Sequence, residues 1–117
     1  MENNSRATHL RIFISSTDQS EHYTLYESIV MKAKKYNLAG ATVTRGMLGF
    51  GASSVIHSTK FWELSDKIPT VIEIIDEEEK VKAFYETIRP TLEGMRYGCL
   101  VTMEKLDVVL YKPGKKN

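Results

Sequence analysis

Hydrophobic and polar positions alternate along 9–15: Leu10, Ile12 and Ile14 fall on one side, Arg11, Phe13 and Ser15 on the other. A period of two marks a strand with one buried face. The polar run Ser15-Ser16-Thr17-Asp18 ends it, and the period changes. His22, Leu25, Tyr26, Ile29, Val30 and Ala33 recur at helical spacing, behind Asp18 as N-cap and Glu21 as its capping-box partner. Lys32, Lys34 and Lys35 lie in the last turns, where cations suit the negative end of the helix dipole, and Asn37 and Gly40 close the helix.

Residues 40–45 predict a second strand, and the β-branched run 68–75 a third, with Pro69 confined to its start. Asp76 as a cap, followed by Glu77, Glu78 and Glu79, opens a second helix. Val81, Phe84, Tyr85, Ile88 and Leu92 form its apolar stripe, and Pro90 predicts a kink or an early end near Arg89. Gly94 and Gly98 bracket a turn. Residues 100–111 predict a last strand with a break near Glu104-Lys105, and 112–117 a frayed polar tail.

The order β-α-β-β-α-β, with two helices that each carry one apolar stripe, predicts an α+β ferredoxin-like fold. Four mainly antiparallel strands would carry two helices on one face. The connection 46–67 is far longer than the roughly two to five residues of a hairpin loop. It holds Phe50, Val55, Ile56, Phe61, Trp62 and Leu64, too apolar a set for a solvated linker, so partial order against a neighbouring subunit is expected.

The length of 117 residues predicts a single domain over 1–117, ordered at about 8–111. A formal charge of +1 supplies no field for polyanions, which removes bulk nucleic-acid binding. One cysteine, Cys99, cannot form an intrachain disulfide, and residues 1–6 lack the apolar core of a signal peptide. No apolar run is long enough to span a bilayer, so the expected compartment is the reducing cytoplasm.

Three of the seven glycines fall in 46–51. Gly46-x-x-x-x-Gly51-Ala52-Ser53 has the glycine spacing of a phosphate loop, but Ala52 stands where the phosphate-reaching lysine belongs, which argues against P-loop hydrolysis. Gly49-x-Gly51-x-x-Ser54 is one glycine short of the dinucleotide fingerprint and follows the second strand of an antiparallel sheet. Glycine amides cradle an anion without either motif, and Arg45 stands at the loop's entry. The alternative is a loop whose glycines only supply turns.

Other residue types add less. His57 is a lone histidine with no partner ligands in the sequence, a weak metal candidate; His9 and His22 lie on predicted regular elements. Cys99 precedes apolar residues and fits a buried, inert thiol. The acids at 77–79 are explained by a helix start. Lys112, Lys115 and Lys116 fit a solvated tail within reach of a phosphate at a subunit edge. The aromatic strand of an RNA-recognition motif and the paired cysteines of a metallochaperone are both missing, and no nucleophile–base pair can be named.

Residues 38–46, then Gly49-Phe50-Gly51-Ala52-Ser53-Ser54, His57, the run 64–73 and the run 98–104 resemble the PII-like family numbered as domain of unknown function 190. That family is related in fold to the nitrogen-regulatory PII proteins and to CutA. The resemblance implies a non-enzymatic, cytoplasmic signalling homotrimer. A small anionic ligand, an adenine nucleotide or a cyclic nucleotide, would bind at clefts between subunits. The long loop would then alter binding to a target protein, with a membrane transporter among the options. Carried onto this chain, the ligand residues are Arg45, Gly46, Gly49, Phe50, Gly51, Ser53 and Arg96. A CutA-like trimer with a metal-related or structural role is the alternative.

Overall fold

The computed structural model describes residues 1–16, 18–20, 22–46, 48–49, 57–58 and 69–115, with backbone alone at 48–49 and 57–58. β1 (Ser5–Ser15), β2 (Thr42–Arg45), β5 (Pro69–Asp76) and β6 (Leu100–Val108) form one sheet in the order β2-β5-β1-β6. Every neighbouring pair in it is antiparallel. Helices α1 (Leu25–Lys35) and α2 (Glu78–Glu93) follow β1 and β5. The expected ferredoxin-like architecture is therefore the observed one. Two short strands, β3 (Leu48–Gly49) and β4 (His57–Ser58), pair with each other apart from this sheet.

Alternation explains where the core lies. Leu10, Ile12 and Ile14 of β1 and Ile72 and Ile74 of β5 point to the helices and are buried. They meet Leu25, Ile29 and Ala33 of α1 and Val81, Phe84, Ile88 and Leu92 of α2 in one cluster. Burying each large apolar side chain contributes roughly 1.5–3 kcal/mol. Helices of this length depend on such packing more than on intrinsic propensity.

Several boundaries differ from expectation. The first helix begins at Leu25, not behind Asp18, and exposed His22 lies outside it. Thr24 and Glu27 form the capping box: Glu27 N donates to Thr24 Oγ1 at 3.4 Å, and Thr24 N to Glu27 Oε1 at 3.3 Å. Asp18 is buried and otherwise engaged. Its carboxylate accepts from Ser15 N at 2.9 Å, and its carbonyl accepts from Leu25 N at 2.7 Å. It thus ties the end of β1 to the start of α1. The helix closes as expected at Asn37, which takes the left-handed conformation at φ 64. Leu38 N bonds Ala33 O and Asn37 N bonds Lys34 O, the two bonds of a Schellman turn.

α2 runs through Pro90 to Glu93. Pro90 sits in the last turn, so its missing N–H forfeits a single helical bond there, and Gly94 N still donates to Pro90 O at 3.0 Å. The N-cap position is Glu77, and Asp76 serves it from one residue upstream by accepting the Glu77 amide at 2.7 Å. β2 starts at Thr42 rather than at 40, and β5, described from Pro69, runs one residue past 75 to Asp76; residue 68 lies outside the described residues. β6 is unbroken at Glu104-Lys105, because its ladder to β1 continues through both residues while their side chains stay exposed. It ends at Val108, short of 111. β1 begins at Ser5, four residues before its apolar alternation, where pairing to β6 extends it.

Candidate functional site

The sheet face turned away from the helices is where charge accumulates. Three cross-strand rows occupy it. Thr44, Val71, Phe13 and Leu100 form the first; Thr42, Glu73, Arg11 and Thr102 the second; Ile75, His9 and Glu104 the third. The second and third rows share a network. Arg11 Nε donates to Glu73 Oε1 at 3.2 Å, and Arg11 Nη1 lies 3.4 Å from Glu104 Oε1. His9 stands between the carboxylates, with Nε2 2.9 Å from Glu73 Oε1 and Nδ1 3.7 Å from Glu104 Oε1. The Nε2 approach lacks the direction of a hydrogen bond, so it is a close polar contact only. The Arg11 hydrogen bond, above all, holds the Glu73 carboxyl below the usual carboxylate range; burial opposes this and His9 assists it.

Beside this network lies an open hollow of about 430 Å³, within the size range of small-molecule sites. His9, Gly40, Ala41, Thr42, Glu73 and Ile75 are among its walls. It offers aliphatic surface, a hydroxyl and a carboxylate. In the adjoining network Arg11 is set against the two carboxylates of Glu73 and Glu104, so it offers phosphate no net positive charge. The two arginines singled out in the sequence lie elsewhere.

Arg45 ends β2 and is exposed. Gly46 follows it and donates its amide to Pro69 O at 2.7 Å. Arg96 is exposed in the turn after α2, its guanidinium 5.7 Å from the Tyr97 ring centroid. Both arginines lie at the same end of the sheet: Arg45 is in register with Thr70 and so with Ile14, and Leu100 with Phe13. Arg45 ends one outer strand, β2, and Arg96 lies four residues before the other, β6, so the strands they flank are at opposite edges. Three strand spacings of about 4.8 Å separate those edges, roughly 14 Å in all. Of the remaining predicted residues, Gly49 is described as backbone, in register with His57. Phe50, Gly51 and Ser53 lie outside the described residues, as do the side chain of His57 and most of the connection 46–67.

Among the described residues no three His, Cys, Asp or Glu side chains cluster as a metal site. Cys99 is half-buried, and burial, aided by the charge of Asp18, pushes its thiol up and away from thiolate. The four-residue network and the hollow were missed by sequence reasoning. Their members come from three strands distant in sequence, and the available signal was the outward phase of Arg11. No described helix is long and apolar enough to cross a membrane.

The sheet order and helix placement define a ferredoxin-like domain of the PII-like class, and solved structures share it. CPII, a nitrogen regulatory PII-like protein from Thiomonas intermedia K12 bound to ADP, AMP and bicarbonate, matches with a TM-score of 0.68 at 16% identity over 91% of each chain. A Thermus thermophilus protein described as PII-like matches with a TM-score of 0.61 at 18% identity, over 92% of this chain and 94% of that one. The chain belongs to the DUF190 family, described as uncharacterized ACR, whose profile matches residues 7–108. A UPF0166 protein of Aquifex aeolicus is 39% identical over 100 residues, covering 86% of this chain and 90% of that protein. Another, from Methanocaldococcus jannaschii, is 32% identical over 88 residues, 72% of this chain and 81% of the relative.

Proposed function

We propose that this chain is a non-enzymatic PII-like regulatory protein, a homotrimer that binds a small anionic ligand of the adenine-nucleotide class between its copies. The observation that carries the reading is the placement of Arg45-Gly46 and Arg96 at one end of the sheet but on opposite edges. Copies packed side by side bring the β2 edge of one to the β6 edge of the next, and with it two guanidinium groups to one phosphate. Charge sets the orientation. The phosphates face the arginines and the glycine amides, and the uncharged end of the ligand lies along β2 in the hollow beside Thr42, Glu73 and Ile75. From Thr42 to Arg45 is about 10 Å of strand, the reach of an extended mononucleotide. The ADP and AMP bound by CPII support this ligand class.

Ligand binding then alters the connection 46–67 and its contact with a target protein, of which a membrane transporter is one form. This requires the ligand to bind two states of that connection with different affinity. Calorimetric titration with ADP, AMP, ATP and cyclic dinucleotides tests the reading. At least one binds the wild type, and Arg45→Ala and Arg96→Ala each weaken it by about tenfold or more. Absence of heat and of thermal stabilisation with the whole set rejects it.

A further inference from the structure

Asp76 is a fully buried carboxylate at the end of β5, on the helix side of the sheet. Burial of a carboxylate is costly unless its oxygens are bonded, and here each oxygen accepts a backbone amide. Oδ1 accepts from Glu77 N at 2.7 Å; Oδ2 accepts from Ala39 N at 2.8 Å. Lys80, one turn into α2, lies 3.6 Å from Oδ2 and donates to Asn37 O at 3.0 Å. Residues 37–41 are otherwise irregular chain between the Schellman turn and β2, and Ala39, Gly40 and Ala41 line the hollow. We propose that Asp76, backed by Lys80, is a positioning residue that holds this wall, so that the start of α2 sets the shape of the ligand site. The inference rests on the reading of the hollow as part of that site.

Asp76→Asn keeps the volume but turns an NH2 group toward one of the two amides, where two donors meet. In this variant hydrogen exchange of residues 38–42 rises about tenfold and ADP affinity falls by a similar factor, the loss expected for one charge-assisted hydrogen bond. Exchange in the paired centre of β1 and β5 stays as in the wild type. Lys80→Met, on a partly exposed helix position, leaves both amide donors to Asp76 in place and is the second variant should Asp76→Asn fail to fold. It raises exchange at 38–42 and weakens ADP about threefold, the smaller effect of a partly exposed cation.

A purely structural Asp76 gives the opposite pattern. Exchange then rises across the whole sheet, the melting temperature falls, and ADP affinity is unchanged in Lys80→Met; that result overturns the proposal. A wild type that ignores ADP rejects the functional reading instead. In that event excess exchange confined to 38–42 still upholds the clamp, and unchanged exchange there removes it.

Discussion

Thr8 and Glu73 show at the scale of single residues how differently two strand positions of this sheet are used. The Thr8 hydroxyl is buried on the helix side with no hydrogen-bond partner among the described residues. An unmet buried hydroxyl costs on the order of 1 kcal/mol or more. Thr8→Val is therefore expected to raise stability by about 1 kcal/mol in urea unfolding, and a loss of stability would contradict the burial argument. Glu73 is held ionised by Arg11 and His9, with its folded-state pKa depressed. A depressed carboxyl contributes stability that is present above its unfolded pKa of about 4.3 and is lost as pH falls through the folded value. Wild type minus Glu73→Gln should thus give a positive stability difference at pH 7 that shrinks below about pH 4.3. A difference independent of pH from 7 to 3 would show that the carboxyl makes no net use of Arg11.

At the scale of elements, the capping box illustrates what the chain discloses locally. Asp18-x-x-Glu21 and Thr24-x-x-Glu27 carry the same signal six residues apart. What decides between them is tertiary: Asp18 is buried and bound to Ser15 N, whereas Thr24 is free to serve the helix. Thr24→Ala should lower stability by about 1 kcal/mol, while Asp18→Ala, which leaves the Ser15 amide without its charged acceptor but keeps the backbone bond from Leu25, should cost more. Equal losses in thermal unfolding would return Asp18 to a plain cap. The same division runs through the fold. Stripes such as Val81, Phe84, Ile88 and Leu92 were legible because periodicity is local, and so were the outward positions of Arg11 and Phe13. The start of β1 at Ser5 was not, because residues 5–8 have no alternation and are recruited by β6. Nor was the network of His9, Arg11, Glu73 and Glu104, which exists only once three strands are in register. The arginines were named from the sequence, but that they flank the two outer strands, β2 and β6, follows from strand order alone.

That separation bears on the whole molecule. The open sheet face carries an apolar row at the same end as both arginines: Val71 and Phe13, then Leu100, in register across β5, β1 and β6. Phe13 is 37% and Leu100 57% exposed, so a large part of this row faces outward in the single chain. In the proposed homotrimer, covering this row with other copies would remove apolar surface from water and bring β2 and β6 edges together. Assembly and ligand site are then one requirement. Light scattering should give a mass about three times the 13.3 kDa chain. Phe13→Glu places a charge in the middle of the apolar row and should shift the mass to that of one chain. Its core is untouched, so circular dichroism should be preserved. The informative comparison is ADP binding by this monomer. With Arg45, Arg96 and the hollow all intact in each chain, affinity should still fall by about a hundredfold or more, since one guanidinium and the neighbouring edge are withdrawn together. A monomer that retains wild-type affinity would place the ligand within a single chain, and a wild-type monomer would remove the need for the shared site.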